Sequence, residues 1–333
     1  MHKSIVLCDG ISSDYLQEID FFLKEWESDS PTIMVSTSGS TGVPKQILLD
    51  KSRVRASAHA TGAFFKFKKG QTLLLSLSPT YIAGKLMLVR ALEHDMRILV
   101  APVSKNPLLS LKNQQVDFAA FVPYQVEAIL ANETTKAKYE EITQVIIGGA
   151  PISVAIETEL KSLKNQSYAT FGMTETITHI ALRNVTNGDE YYKCLPGITV
   201  KQDERDCLII NKSAVSNRLI TNDIITLIDE YKFQWHGRID NVVNSAGIKL
   251  FPEALEKNIA ELFPENRFYF IGRESVVFGE ELVLVIEGTQ PINWNDIENE
   301  MSNRLKPFEY PKAIVFVAEF KETATGKVIR KIN

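Results

Sequence analysis

Between residues 32 and 190 short apolar runs alternate with segments of helical periodicity, and this alternation decides the fold class. Residues 32–36, 72–77, 97–101, 116–122 and 144–147 read as buried strands, because they are short and largely uninterrupted by polar positions. Helices are expected at 13–26, where Leu16, Ile19, Leu23 and Trp26 share a face, at 52–65, and after Gly84. Another is expected where Ile152, Ile156, Leu160 and Leu163 recur. Strands alternating with helices predict an α/β layered domain. From about residue 190 the pattern shifts to short β-like runs at 207–211, 218–221 and 225–229. Beyond Asp240 it shifts again, with helices expected at 252–262 and 294–305 and strands at 267–272, 281–287 and 313–317. The domains are therefore expected at 1–237 (large, α/β) and 241–333 (small, α+β), joined by a polar hinge at 238–240.

Composition excludes several classes of partner. The 37 basic and 41 acidic residues leave a net charge of −4, so no global basic surface is offered to nucleic acid or an anionic membrane. Any anionic ligand must be met by local Lys, Arg or backbone N–H groups. The uncharged stretch 71–84 carries Ser, Thr, Gln and Pro and falls short of a membrane span, and the run Ile5–Leu7 plus Cys8 is too short for a signal-peptide core. Cys8, Cys194 and Cys207 form no CxxC pair and are odd in number, which fits a reducing compartment. A cytoplasmic protein without membrane insertion is the expectation.

The most informative stretch is Thr37-Ser38-Gly39-Ser40-Thr41-Gly42-Val43-Pro44-Lys45, which follows a buried strand. Its glycines let backbone N–H groups approach an anion, four hydroxyls add donors, and Lys45 adds a point charge suited to phosphate. It is not a P-loop, which requires Gly where Pro44 stands. Downstream, Gly148-Gly149-Ala150-Pro151 follows the strand 144–147, where glycines at a strand's C-terminal edge let a flat ligand lie against the backbone.

The hydroxyl loop resembles the phosphate-binding motif of the acyl-adenylate-forming superfamily, which includes acyl-CoA synthetases, peptide-synthetase adenylation domains and firefly luciferase. The family usually has Gly where this chain has Gln46. Further motifs follow in the family's order. Gly149, Ala150 and Pro151 resemble its adenine-side segment. In Phe171-Gly172-Met173-Thr174-Glu175, the resemblance implies that Phe171 stacks on adenine, Thr174 touches the α-phosphate and Glu175 binds Mg²⁺, a role suited to a hard carboxylate oxygen. It implies that Asp223 and Arg238 hold the ribose, with Asn222 in place of the usual Gly, and that Asp240 is the hinge. Gly247 and Lys249 lie in a loop that resembles the coenzyme A channel, and Thr325-Gly326-Lys327 resembles the terminal motif that carries the catalytic lysine. The implied fold is that of the acyl-adenylate-forming enzymes, with a shortened large N-terminal α/β domain and a small, mobile C-terminal α+β domain. The implied reaction takes ATP, Mg²⁺, a carboxylic acid and coenzyme A through an acyl-AMP to a thioester.

Only 36 residues precede Thr37, fewer than is usual in the family, so the expectation is a compact form whose pocket wall is either missing or supplied by a partner chain, as in a homo-oligomer. The stretch from Pro79 to Arg90 resembles the pocket helix of o-succinylbenzoate–CoA ligases of menaquinone synthesis, in particular a short form, with Gly84 followed six residues later by Arg90. Tyr81 stands where His is common there. That acid keeps a second carboxylate in the pocket, which needs a cation or several donors. Arg90 is the candidate, with Tyr81, Gly84, Thr178 and His179 expected nearby. Left open are ligases for other aryl or aliphatic acids, a domain that loads a carrier protein, and a non-catalytic nucleotide binder.

Overall fold

The computed structural model describes residues 4–37, 45–212, 215–264, 266–322 and 328–331. The chain packs into two compact units, residues 1–152 with 156–198, and residues 153–155 with 199–333. The expected hinge at 238–240 falls inside the second unit, at the short turn Ile239–Asn241.

The first unit is built on a sheet whose strands lie in the order Ile5–Leu7, Arg97–Val100, Thr72–Leu75, Phe118–Phe121, Gln144–Ile147, Gln166–Gly172, His179–Asn184 and Tyr192–Cys194. The first six run parallel, His179–Asn184 returns antiparallel to them, and Tyr192–Cys194 is antiparallel to His179–Asn184. Leu73, Leu74 and Leu75 are fully buried, as expected of parallel strands covered on both faces. Each such side chain withdrawn from water contributes about 1.5–3 kcal/mol. Helices at Ser13–Glu27, Lys51–Phe65, Ile82–Glu93, Pro123–Leu130, Glu133–Glu141 and Val154–Leu160 accompany the sheet. The helix Ile82–Glu93 is apolar on nearly every side, so Leu86, Met87, Leu88 and Val89 are all buried and Arg90 is carried inside with them.

Two strands differ from the sequence reading. A strand at Lys45–Asp50 pairs antiparallel with Thr32–Thr37, so the hydroxyl stretch connects two paired strands. The runs expected at 218–221 and 225–229 are one strand, Val215–Asp229. Asn222 and Asp223, between the two expected runs, fall in a bulge: Cys207 pairs with Ile224 but Ile209 with Ile220, so four steps along this strand match two on its neighbour.

In the second unit Ile198–Gln202, Cys207–Lys212, Val215–Asp229 and Lys232–Arg238 lie side by side. A smaller five-stranded sheet follows, in the order Ile248–Leu250, Val243–Ser245, Gly279–Glu287 and Phe268–Ser275, with Ala313–Val317 parallel to Gly279–Glu287. The helices Pro252–Ile259 and Trp294–Arg304 bury Leu255, Ile259, Trp294, Ile297 and Met301 in its core. No helix among the described residues is long and apolar enough to cross a membrane.

Gly84 is fixed by packing. A Cβ there would lie 2.3 Å from the Ser78 carbonyl oxygen and 2.6 Å from that of Leu77, both rigid backbone atoms. Gly84→Ala gains about 1 kcal/mol of helix propensity, but the overpacking costs about 1–3 kcal/mol. The expected result is a lower urea midpoint; an unchanged or raised midpoint would contradict it.

Candidate active site

The parallel strands end where the motif residues begin. Thr37 pairs with Lys45 across the hairpin, and Ser38, Gly39, Ser40, Thr41 and Gly42 lie outside the described residues. Gly149, Ala150 and Pro151 follow the C-terminal end of Gln144–Ile147, with Gly148 donating its N–H to the Phe121 carbonyl at 3.1 Å. This edge of a parallel sheet is where α/β folds seat ligands.

The neighbouring strand Gln166–Gly172 ends in Phe171 and Gly172. Phe171 is half-buried and meets Tyr192 edge-on, with ring centroids 5.7 Å apart. Gly172 is pressed against the returning strand: a Cβ would come within 2.5 Å of the Thr178 carbonyl and the His179 Cα. Only glycine lets the end of Gln166–Gly172 and the Thr178–His179 pair lie this close. Between them Met173 and the short turn Thr174–Thr176 are closed by Thr176, a residue the sequence reading missed. Its Oγ1 accepts from the Met173 N–H at 3.0 Å and lies 2.7 Å from the Thr178 carbonyl. Ile177 has φ +72°, a left-handed conformation that strains a β-branched residue and marks segments held in place by their surroundings. Glu175 is exposed on this turn. Among the described residues no three His, Cys, Asp or Glu side chains converge. This donor set fits a Mg²⁺ ion held by one protein carboxylate and otherwise by phosphate oxygens and water.

Behind the turn lies a polar cluster in an apolar surround. Arg90, 2% exposed, donates from Nη2 to Thr178 Oγ1 at 3.0 Å and from Nη1 to Met87 Sδ at 3.6 Å. Its Nε has no hydrogen-bond partner among the described residues. Burial alone pulls the guanidinium down to about 10, with no carboxylate opposing the shift. It is therefore charged at neutral pH and unpaired by any anion among the described residues, an arrangement that is costly in an isolated protein. His179 is buried beside it, with Nδ1 3.3 Å from Thr178 Oγ1 and Nε2 3.3 Å from Thr61 Oγ1. Burial, reinforced by the Arg90 charge, holds His179 well below the usual histidine range, so its ring is neutral. Thr61, on Lys51–Phe65, was not legible in the sequence because it meets His179 only through the fold. Tyr81 sits exposed just before the helix Ile82–Glu93.

The remaining expected residues lie in the second unit. Asp223 is buried and accepts from Trp235 Nε1 at 3.0 Å, a partner the sequence did not suggest. Arg238 lies 4.0 Å from Asp223 and donates to Asp240 at 2.5 Å, while Asn222 Nδ2 donates to the other Asp240 oxygen at 2.9 Å. Asn222, Arg238 and Asp240 thus form one hydrogen-bonded group, with Asp223 in ionic contact beside it. Gly247 and the exposed Lys249 belong to the hairpin formed by Val243–Ser245 and Ile248–Leu250. Lys327 lies outside the described residues; Glu322 and Val328, on either side of it, are bridged, and Arg330 grips Glu256 through both carboxylate oxygens.

Comparison with known proteins identifies the family. The profile of the AMP-binding enzymes matches residues 12–206. A solved acyl-CoA synthetase (AMP-forming)/AMP-acid ligase II-like protein from Dyadobacter fermentans is 34% identical, over 95% of this chain and 92% of its own, with a TM-score of 0.66. The 2-succinylbenzoate–CoA ligase of Haemophilus influenzae is 25% identical over 90% of this chain, which spans 69% of that enzyme's length. The o-succinylbenzoate coenzyme A synthetase of Bacillus subtilis, solved with ATP and a magnesium ion, shares the fold with a TM-score of 0.75 at 18% identity, over 89% of this chain and 68% of that one. The chain belongs to the AMP-binding enzyme family, the AMP-forming ligases of the acyl-adenylate-forming superfamily.

Proposed function

We propose that this protein is an acid–coenzyme A ligase whose acid is o-succinylbenzoate, working in the cytoplasm in menaquinone synthesis. A carboxylate oxygen of the acid attacks the α-phosphorus of ATP, the bond to the bridging oxygen breaks, and pyrophosphate leaves. The thiol of coenzyme A then attacks the acyl carbon, losing its proton, and AMP departs with the electron pair of the cleaved acyl–oxygen bond. Such transfers ask the protein mainly to position groups and offset charge. Thr37, Ser38, Gly39, Ser40, Thr41, Gly42 and Lys45 would receive the phosphates, Gly149, Ala150, Pro151, Phe171, Gly172 and Met173 the adenine, and Asp223 and Arg238 the ribose. Thr174 would touch the α-phosphate and Lys327 would lie between the two reacting anions. A magnesium ion at Glu175 would offset phosphate charge when bound. Rotation about Asp240 would then bring Gly247 and Lys249 to the thiol.

The observation that carries the choice of acid is Arg90. A buried guanidinium lacking a carboxylate partner, beside the Thr178 hydroxyl, is matched by an acid that keeps a second, unreacted carboxylate. The names of the relatives from Haemophilus influenzae and Bacillus subtilis point the same way.

Pyrophosphate release over a panel of acids, with coenzyme A present, tests the reading. o-Succinylbenzoate should give the highest kcat/KM, and its analogue with the free carboxylate masked as an amide should lose about 10–100-fold, the worth of one charge-assisted hydrogen bond. Equal turnover of both compounds would remove the basis for this choice. Acyl transfer to a phosphopantetheinyl protein but not to free coenzyme A would instead identify a carrier-loading enzyme.

A further inference from the structure

The hydrogen bonds around His179 can be assigned a direction. Thr61 Oγ1 lies 3.1 Å from the carbonyl of Ser57, one helical turn earlier, and that carbonyl can only accept. The single Thr61 hydroxyl proton is therefore committed to Ser57, and Thr61 meets His179 Nε2 with a lone pair. His179 Nε2 must then carry the ring proton. A neutral ring has only one, which leaves Nδ1 as an acceptor. Nδ1 faces Thr178 Oγ1, whose proton is drawn towards it. The Thr178 oxygen is left with its lone pairs free to accept the Arg90 Nη2–H. Every donor in the relay meets an acceptor, and the relay runs from Arg90 through Thr178 and His179 to Thr61 and Ser57. With the opposite tautomer, Thr178 would accept from the ring and from Arg90 at once, and its own proton would have to turn elsewhere.

We propose that Thr61 is a positioning residue for acid recognition: by accepting from His179 Nε2 it selects the ring tautomer, sets the direction of the Thr178 hydroxyl, and so holds the Arg90 guanidinium with its remaining N–H groups available to the acid's free carboxylate. The proposal rests on the assignment of Arg90 to that carboxylate. Thr61 itself touches neither acid nor nucleotide in this scheme, so its effect falls on binding and not on the chemical step.

Thr61→Val keeps the side-chain shape and removes the acceptor, while Thr61→Ser keeps the acceptor. The test reads the His179 tautomer by ¹⁵N NMR on the acid-free protein, with His179→Gln assigning the signal, alongside steady-state kinetics with the acid of highest kcat/KM. The wild type and Thr61→Ser should show Nε2 protonated and Nδ1 bare. Thr61→Val should move the population towards the Nδ1-protonated form and raise KM for the acid about tenfold, with kcat within about twofold. A wild-type ring protonated at Nδ1 would overturn the proposal. So would a Thr61→Val variant with unchanged tautomer, or one whose loss falls on kcat and is not rescued in Thr61→Ser. Because the tautomer is read without acid, failure here is distinguishable from failure of o-succinylbenzoate to be turned over.

Discussion

Lys327→Ala is expected to slow acyl-adenylate formation by about 10²–10³-fold while leaving thioester formation from preformed acyl adenylate within about threefold of the wild type. The first half-reaction brings a carboxylate against a phosphate, two anions that repel each other until a cation stands between them. In the proposed role the Lys327 ammonium, on its four-carbon stem, would supply that charge at one point, and removing one such preorganised contact typically costs about 3–4 kcal/mol. The second half-reaction has no such meeting of anions, since the thiol attacks an acyl group already activated. Lys327 lies outside the described residues, but the chain on both sides is tied down. Glu322 is bridged to Val328, and Ile329 donates its N–H to the Lys321 carbonyl at 2.8 Å. Arg267 pairs with both Glu322 and Glu287. ATP–pyrophosphate exchange measures the first step, and single turnover from synthetic acyl adenylate measures the second. Equal loss in the two assays would contradict the division of labour.

What the sequence discloses about this molecule is what is local. A run such as 144–147 announces a buried strand by composition, and the observed strand has those bounds. The hydroxyl loop and the Phe171–Glu175 stretch are contiguous, so their chemistry can be read before any fold is known. The strand Lys45–Asp50 is harder to see, because Pro44-Lys45 reads as the end of a loop. Its placement follows from Ile47 and Leu49 alternating against Val35 and Ile33 in the partner strand. The continuity of Val215–Asp229 through Asn222 and Asp223 is hidden for a similar reason: the pairing of Asp223 with Arg238 and of Ile224 with Gly237 carries the strand across them.

The side chains that complete the site were hidden because their partners are distant in sequence. Thr61 and His179 are 118 positions apart, and nothing local in the helix Lys51–Phe65 shows which residue Thr61 meets. Trp235 reaches Asp223 only because a hairpin pairs their strands. Arg90 was legible as a type of residue at a family position. Its lack of a carboxylate partner among the described residues, on which its proposed role rests, is a property of the fold alone.

Arg330→Met is expected to lower stability by about 3 kcal/mol, with the loss greater at pH 8 than at pH 5. Arg330 donates to Glu256 Oε1 at 2.6 Å and Oε2 at 2.9 Å, adds a bond to the Phe270 carbonyl at 3.3 Å, and lies over the Tyr269 ring. The pair fastens the chain that follows the Lys327 motif to the helix Pro252–Ile259 and the strand Phe268–Ser275. With side chains 25% and 18% exposed, the pair belongs near the low end of the penalty for stranding a buried charge. The pH dependence follows from Glu256. Burial pushes its carboxyl above the usual range, against the pull of Arg330. Between the ordinary carboxylate pKa and that raised value the folded protein binds the proton more tightly than the unfolded chain, so this group's contribution to stability falls as pH rises. Removing Arg330 removes the opposing pull, raises the Glu256 pKa further and widens the interval over which stability is lost. Urea unfolding of Arg330→Met at pH 5 and pH 8 measures the difference, and Glu256→Gln in the same background should recover part of the loss at pH 8, where the stranded carboxylate is ionised. A deficit of equal size at both pH values, untouched by Glu256→Gln, would show that Arg330 acts through packing on Tyr269 and not through charge.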